Sequence, residues 1–78
     1  MHYIYVLQNQ DYHEFYYGYT IDLERRLAEH KSRKKCELVY YEAYRSEKDA
    51  RSREKKLKNY GQTRSHLKKR IENSVHKN

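Results

Sequence analysis

Five side chains in this sequence could serve phosphodiester cleavage from positions that the surrounding pattern reserves for apolar residues: Tyr5, Tyr16, Arg26, His30 and Glu54. That reaction needs a positioned water or general base, a cation for charge growing on the phosphorane oxygens, and commonly a metal beside the leaving oxygen. Arg26 could bind the non-bridging oxygens. Glu54 is a hard oxygen donor suited to one Mg²⁺ or Mn²⁺ ion, cations that keep several of their own waters. Tyrosine is a weak base with a reference pKa of about 10, but an adjacent cation and metal would ease its deprotonation. His30 is an alternative proton acceptor. Each residue alone also has a plain structural reading, as packing tyrosine, snorkelling arginine or ion-paired carboxylate. Only the set points to a site.

Other chemistries lack their parts. Two glycines leave no Gly-rich phosphate loop, a single cysteine (Cys36) excludes an internal disulfide and a Cys-rich zinc site, and no paired-histidine motif is present.

The elements that must position the five residues follow from pattern. Tyr3-Ile4-Tyr5-Val6-Leu7 and Phe15-Tyr16-Tyr17-Gly18-Tyr19 are short aromatic and β-branched runs, so they read as a hairpin with a loop of about seven residues, Gln8 to Glu14. A helix follows, with Thr20 as its cap and Asp22 at its positive end. At about 100° per residue, Arg26 and His30 lie within roughly 60° of Leu23 on the apolar side, while Arg25 points to solvent. After a basic loop over 31–35, residues 38–44 read as a third strand; its broken alternation is that of a central strand covered on both faces. Ser46 and Asp49 open a second helix, expected to reach about Tyr60 and to end in a left-handed cap at Gly61. Its stripe of Ala50 and Leu57 encloses Glu54. Thr63 to about Glu72 completes the pattern as a short last helix, and a disordered tail is expected over 73–78.

Composition sets the frame. At 78 residues this is one small domain, over 1–72, that buries only about 60 to 65 per cent of its unfolded surface. Charged residues make up 37% of it, and the apolar set leans on ten tyrosines, whose hydroxyls need partners when buried. They imply a wet-edged core or a surface that handles something polar. The formal charge of +7 is concentrated in the C-terminal half: from Arg45 to Glu72 there are 11 basic and 4 acidic residues. A polyanion, most simply nucleic acid, is the partner such a face suits, with a solvated face as the alternative. No membrane span or signal peptide is expected, and a reducing, cytoplasmic setting fits the cysteine usage.

Taken in order, Tyr3-Ile4-Tyr5, Tyr16-Tyr17-Gly18, the run from Asp22 to His30, and Ala50 to Gly61 with Arg53-Glu54 followed by Leu57-Lys58 resemble the GIY-YIG endonucleases. The likeness spans about Met1 to Tyr60 and is greatest to the small stand-alone bacterial group, similar to the catalytic module of the bacterial repair excinuclease and of structure-selective nucleases. It implies an α/β fold of the α+β type, a three-stranded antiparallel sheet flanked by about three helices, and metal-dependent DNA cleavage leaving a 5′-phosphate. It implies Tyr5 as general base or water-positioner with Tyr16 as its partner, Arg26 as transition-state stabiliser and Glu54 as metal ligand. His30 matches a position that is histidine in some members. Two positions depart from the pattern: Tyr3 replaces the first glycine of the signature, and no asparagine follows the glutamate at the usual distance, Asn59 coming early and Asn73 late.

The expected function is a DNA endonuclease acting on branched, flap or damaged DNA in repair or recombination. Its DNA contacts are expected on the basic helices after Arg45, through Arg51, Arg53, Lys55 and Lys58, with a protein partner or a second copy of the chain for targeting. The alternative is a catalytically inactive nucleic-acid-binding module in which the tyrosines stack bases or fill the core. A third reading, an adaptor for an acidic protein, has only the charge in its favour.

Overall fold

β1 (His2–Asn9) carries apolar side chains toward both of its faces, and that requires it to be covered on both. In the computed structural model, which describes residues 1–33 and 35–75, it is the central strand of a three-stranded antiparallel sheet in the order β2-β1-β3, with β2 spanning Phe15–Thr20 and β3 spanning Cys36–Tyr44. The remaining elements are α1 (Leu23–Arg33), α2 (Glu47–Asn59) and α3 (Gly61–Arg70). The α/β fold class, the sheet and the three helices agree with the sequence reading.

Alternation along β1 sorts the interior into two cores. Ile4 and Val6 join Ala50, Leu57, Leu67 and Ile71 in the larger one, under α2 and α3. Tyr5 and Leu7 join Cys36 on the other face, where Leu23 and Leu27 of α1 pack with Tyr16 and Leu38. Chemistry on the α1 face is thus separated by the sheet from chemistry on α2.

Several expectations are corrected. The hairpin loop is shorter than expected, residues 10–14; Asn9 Oδ1 accepts from the N–H groups of Asp11 and Tyr12 at 2.8 Å each, and His13 turns the chain at φ 60°. β3 is an edge strand, not the central one. Its broken alternation comes from a bulge: Val6 pairs with Tyr40 but Leu7 with Leu38, so Val39 is extra and packs into the same core as Tyr40. Asp22, not Thr20, caps α1, with its Oδ1 accepting from Arg25 N–H at 3.2 Å, while Thr20 Oγ1 holds Asp22 N–H at 3.1 Å. α1 runs to Arg33, into the segment expected as a basic loop.

Ser46 caps α2 as expected, accepting from Asp49 N–H. Gly61 does not take the left-handed conformation; extended Tyr60 ends α2, and Gly61 opens α3 two residues before Thr63, the expected cap. An arginine does the work expected of the glycine. Arg64 Nη1 donates to Leu57 O at 2.8 Å and Lys58 O at 3.0 Å, satisfying carbonyls that the end of α2 leaves without intrahelical partners. Beyond α3, Ser74 N–H donates to Ile71 O and Val75 packs against the larger core; the rest of the expected tail, 76–78, lies outside the described residues.

Candidate active site

Gly18 is where the hairpin builds a site. It pairs with Tyr5 across β1 and β2, so a side chain there would share the face of the Tyr5 ring. A Cβ at this position would lie 2.3 Å from both Cζ and Oη of Tyr5. The missing side chain therefore lets the phenol lie across β2, with its hydroxyl toward the sheet edge. The demand is for space, since no glycine here has a positive φ. Tyr5 is 5% exposed as a whole, so its ring is fixed by packing.

α1 brings two further groups to that phenol. His30 Nε2 is 3.4 Å from Tyr5 Oη, long for a hydrogen bond, with the two rings edge-on at 5.9 Å. Arg26 Nη1 donates to Glu29 Oε2 at 3.1 Å. That bond, then the charge and hydrogen bonding of the Tyr5 phenol, raises the guanidinium pKa above its ordinary value. Glu29 also pairs with Arg25 at 3.3 Å, so one carboxylate steadies both arginines. The adjacent pair divides as the helical wheel requires: the Arg25 side chain is 78% exposed and that of Arg26 46%.

Tyr16 pairs with Leu7 and occupies the same sheet face as Tyr5. Its hydroxyl donates to Glu14 Oε2 at 3.2 Å, and desolvation followed by that carboxylate raises the phenol pKa. Tyr5, Tyr16, Arg26 and His30 are thus gathered on the α1 side. Glu54 comes from the other helical layer. It sits on α2, which packs under the opposite face, and its side chain is 19% exposed and paired with Lys58 Nζ at 3.1 Å. A cleft of about 410 Å³ lined by Phe15, Tyr16, Tyr17, Leu57, Lys58 and Arg64 links the Tyr16 end of β2 to Lys58.

The arginine–carboxylate pair that was the structural alternative for Glu54 exists, but Glu42 makes it. Arg53 Nε and Nη2 donate to Glu42 Oε1 and Oε2, each at 3.0 Å, and the Tyr40 and Tyr44 hydroxyls donate to the same carboxylate. Arg53 is therefore tied into the fold through Nε and Nη2. Of the other expected contacts, Lys55 is exposed, Arg51 lies 4.1 Å over the Tyr19 ring and pairs with Glu47, and Lys58 is the partner of Glu54.

Among the described residues no group of three or more His, Cys, Asp and Glu side chains is placed to hold a metal ion. A lone carboxylate still fits Mg²⁺ or Mn²⁺, because such ions are commonly bound by one or two carboxylates, with water and substrate phosphate completing the shell. Glu54 could be that protein ligand if Lys58 releases it. Sequence reasoning missed Glu29 as the clamp on Arg26 and Lys58 as the partner of Glu54, although the i,i+3 and i,i+4 spacings were signals for both.

The model of the GIY-YIG catalytic domain matches residues 1–70. The chain belongs to the GIY-YIG family, a family of nucleases. It is 35% identical over 68 residues to a UPF0213 protein of Haloquadratum walsbyi, covering 76% of this chain and 75% of that one. It is 34% identical over 68 residues to a UPF0213 protein of Staphylococcus haemolyticus, covering 76% and 82%. No solved structure gives a significant match. Among the described residues no helix of this GIY-YIG chain is long and apolar enough to cross a membrane.

Proposed function

We propose that this chain is a divalent-metal-dependent DNA endonuclease acting on branched, flap-containing or damaged DNA, in repair or recombination. The observation that carries the reading is the meeting of Tyr5 Oη, His30 Nε2 and the Arg26 guanidinium over Gly18. The Tyr5 hydroxyl orients the attacking water, and the proton released passes to Tyr5 or His30; their 3.4 Å spacing is of the kind that tightens when substrate closes a site. Arg26 holds the non-bridging oxygens and offsets the charge that grows on them. As the water oxygen bonds to phosphorus, the bond to the 3′-oxygen breaks, leaving a 5′-phosphate. Tyr16 lines the same face as partner to Tyr5, and Glu54 would hold one Mg²⁺ or Mn²⁺. When bound, that ion supplies Lewis-acid help to the leaving oxygen.

The second reading, an inactive nucleic-acid-binding module, is favoured by one observation: Glu54 is already paired with Lys58 on the far side of the sheet. Three-way-junction and flap DNA incubated with Mg²⁺ or Mn²⁺ separates the two. Cleavage by wild type that is lost in Glu54→Ala and Arg26→Ala is the expected result. Cleavage unchanged in both variants would refute the site, and binding without cleavage under either metal would leave the second reading.

A further inference from the structure

The α1 helix covers only part of its sheet face. Leu23 and Leu27 pack against the cluster of Tyr5, Leu7 and Cys36, and His30 reaches Tyr5. Beyond Tyr5 toward the start of β1, the row across the sheet is Thr20, Tyr3 and Ala43. Tyr3 is half-buried in that row. In the preceding row Tyr41 pairs with Tyr5 from β3, and because Tyr5 lies over Gly18 on the β2 side, Tyr41 stands open on the other side at 52% exposed. The Tyr3 and Tyr41 rings meet at 6.1 Å with a tilt of 59°. Tyr3 is the residue that departs from the glycine of the signature.

We propose that the open ring of Tyr41, braced by Tyr3, is a stacking platform for one unpaired base of the substrate, belonging to a nucleotide beside the phosphate held at Tyr5 and Arg26. The inference rests on the nucleic-acid substrate of the reading above but not on its cleavage chemistry. Three things select a base as occupant. The open face of the Tyr41 ring, with the Tyr3 ring tilted 59° against it, is a patch on the scale of a nucleobase, far below the roughly 800 Å² per partner of a standard protein interface. The patch is continuous with the candidate site: Tyr3 is two residues from Tyr5 on one strand, roughly 6.7 Å, and Tyr41 is its direct cross-strand partner. The chain carries a formal charge of +7, matching a polyanion whose bases have accessible faces where they are unpaired. A paired base, stacked within a duplex, has no free face to give. The platform therefore selects flaps, junction ends and lesions over intact duplex.

Binding to two oligonucleotides in EDTA tests this without any cleavage: a duplex bearing a single-stranded flap with 2-aminopurine at its first unpaired position, and the same duplex fully paired. Wild type should quench the flap 2-aminopurine. Tyr41→Ala should lose that quenching and weaken flap binding roughly 5- to 150-fold, the range that one base stacked on an aromatic residue commonly yields, with duplex binding unchanged. Tyr41→Phe should keep both. If Tyr41→Ala does not melt cooperatively, Tyr41→Leu, which fills the strand position without a flat ring, should show the same loss. Flap affinity equal to wild type in the folded variant, or an equal loss on flap and duplex, would overturn the platform. The endonuclease reading fails separately: wild type that quenches 2-aminopurine through Tyr41 but cleaves nothing with Mg²⁺ or Mn²⁺ leaves the platform standing and removes the nuclease.

Discussion

Gly18 fixes what Tyr5 can do. Its missing Cβ is the space the phenol occupies, and the buried Tyr5 ring has nowhere else to go without breaking the α1-face core. Gly18→Ala should therefore reduce cleavage about 100-fold or more through misplacement of the hydroxyl, while DNA affinity falls little. A quantitative flap-cleavage assay paired with anisotropy checks it, and cleavage within a few-fold of wild type would refute the seat. Arg26 sits in the same constellation, held by Glu29 and facing Tyr5. Arg26→Lys should lose about 10²- to 10³-fold in rate despite keeping the charge, because the planar fork is what spans two phosphate oxygens. At this scale the sequence was informative: helical spacing separated Arg26 from Arg25, and the carboxylate of Glu54 did fall inside its apolar stripe. What spacing could not convey was the side of the sheet. Nothing in the local pattern says that α1 and α2 pack on opposite faces of the sheet, the first over Tyr5 and Leu7 and the second over Ile4 and Val6.

The elements are joined by polar clamps that the local pattern did not announce. Glu42 on β3 holds Arg53 on α2, and its carboxylate accepts from two tyrosines of its own strand. Burial works to raise the Glu42 pKa, but the hydrogen bonds from Arg53, Tyr40 and Tyr44 prevail and lower it. The stability Glu42 contributes is thus fully present above the ordinary carboxylate range and is lost as pH falls through the depressed folded value. Tyr44 runs the other way: burial first, then the Glu42 hydrogen bond, pushes its hydroxyl up to about 12. Its contribution is full below the ordinary tyrosine pKa of about 10 and is lost as pH rises through about 12. Glu42→Gln should cost about 2 to 4 kcal/mol near neutral pH, leaving Arg53 half-buried and unpaired, and should flatten both pH limbs in thermal melts. Wild-type limbs retained in the variant would remove Glu42 from the account. Arg64→Ala should cost about 1 to 2 kcal/mol, since two carbonyls at the end of α2 lose their donor. The sequence placed the α2–α3 junction correctly and assigned it to the wrong residue. Glycine is the common solution at a helix end, and only the three-dimensional return of α3 reveals that Arg64 can reach back instead. Likewise β3 was read as central because its pattern is irregular, when one bulged residue, Val39, is the cause.

For the whole molecule, the proposed function asks how a domain this small would hold DNA. Its excess charge lies after Arg45, on α2 and α3, whereas Tyr5 lies under α1, and Arg26 and His30 on it, across the sheet. A duplex engaged by both must pass around the β2 edge, where Tyr16 and Lys58 line one cleft. The charge count alone would credit four contacts to Arg51, Arg53, Lys55 and Lys58, giving a slope of log affinity against log salt near −3.6. With Arg53 tied to Glu42 three of these contacts remain, and their share of the slope should be about −2.7. Lys55→Ala should then bring it to about −1.8, while Arg53→Ala should leave the slope unchanged and lower the melting temperature instead. Lys58→Ala is the informative exception. It removes one phosphate contact and at the same time frees Glu54, so binding in EDTA should weaken while the Mn²⁺ concentration needed for half-maximal cleavage falls. Titrating binding against salt, and cleavage against Mn²⁺, in the same variant set reads these effects independently. A Lys58→Ala protein that needs more Mn²⁺ than wild type would show that the lysine helps to hold the substrate at Glu54 rather than masking it.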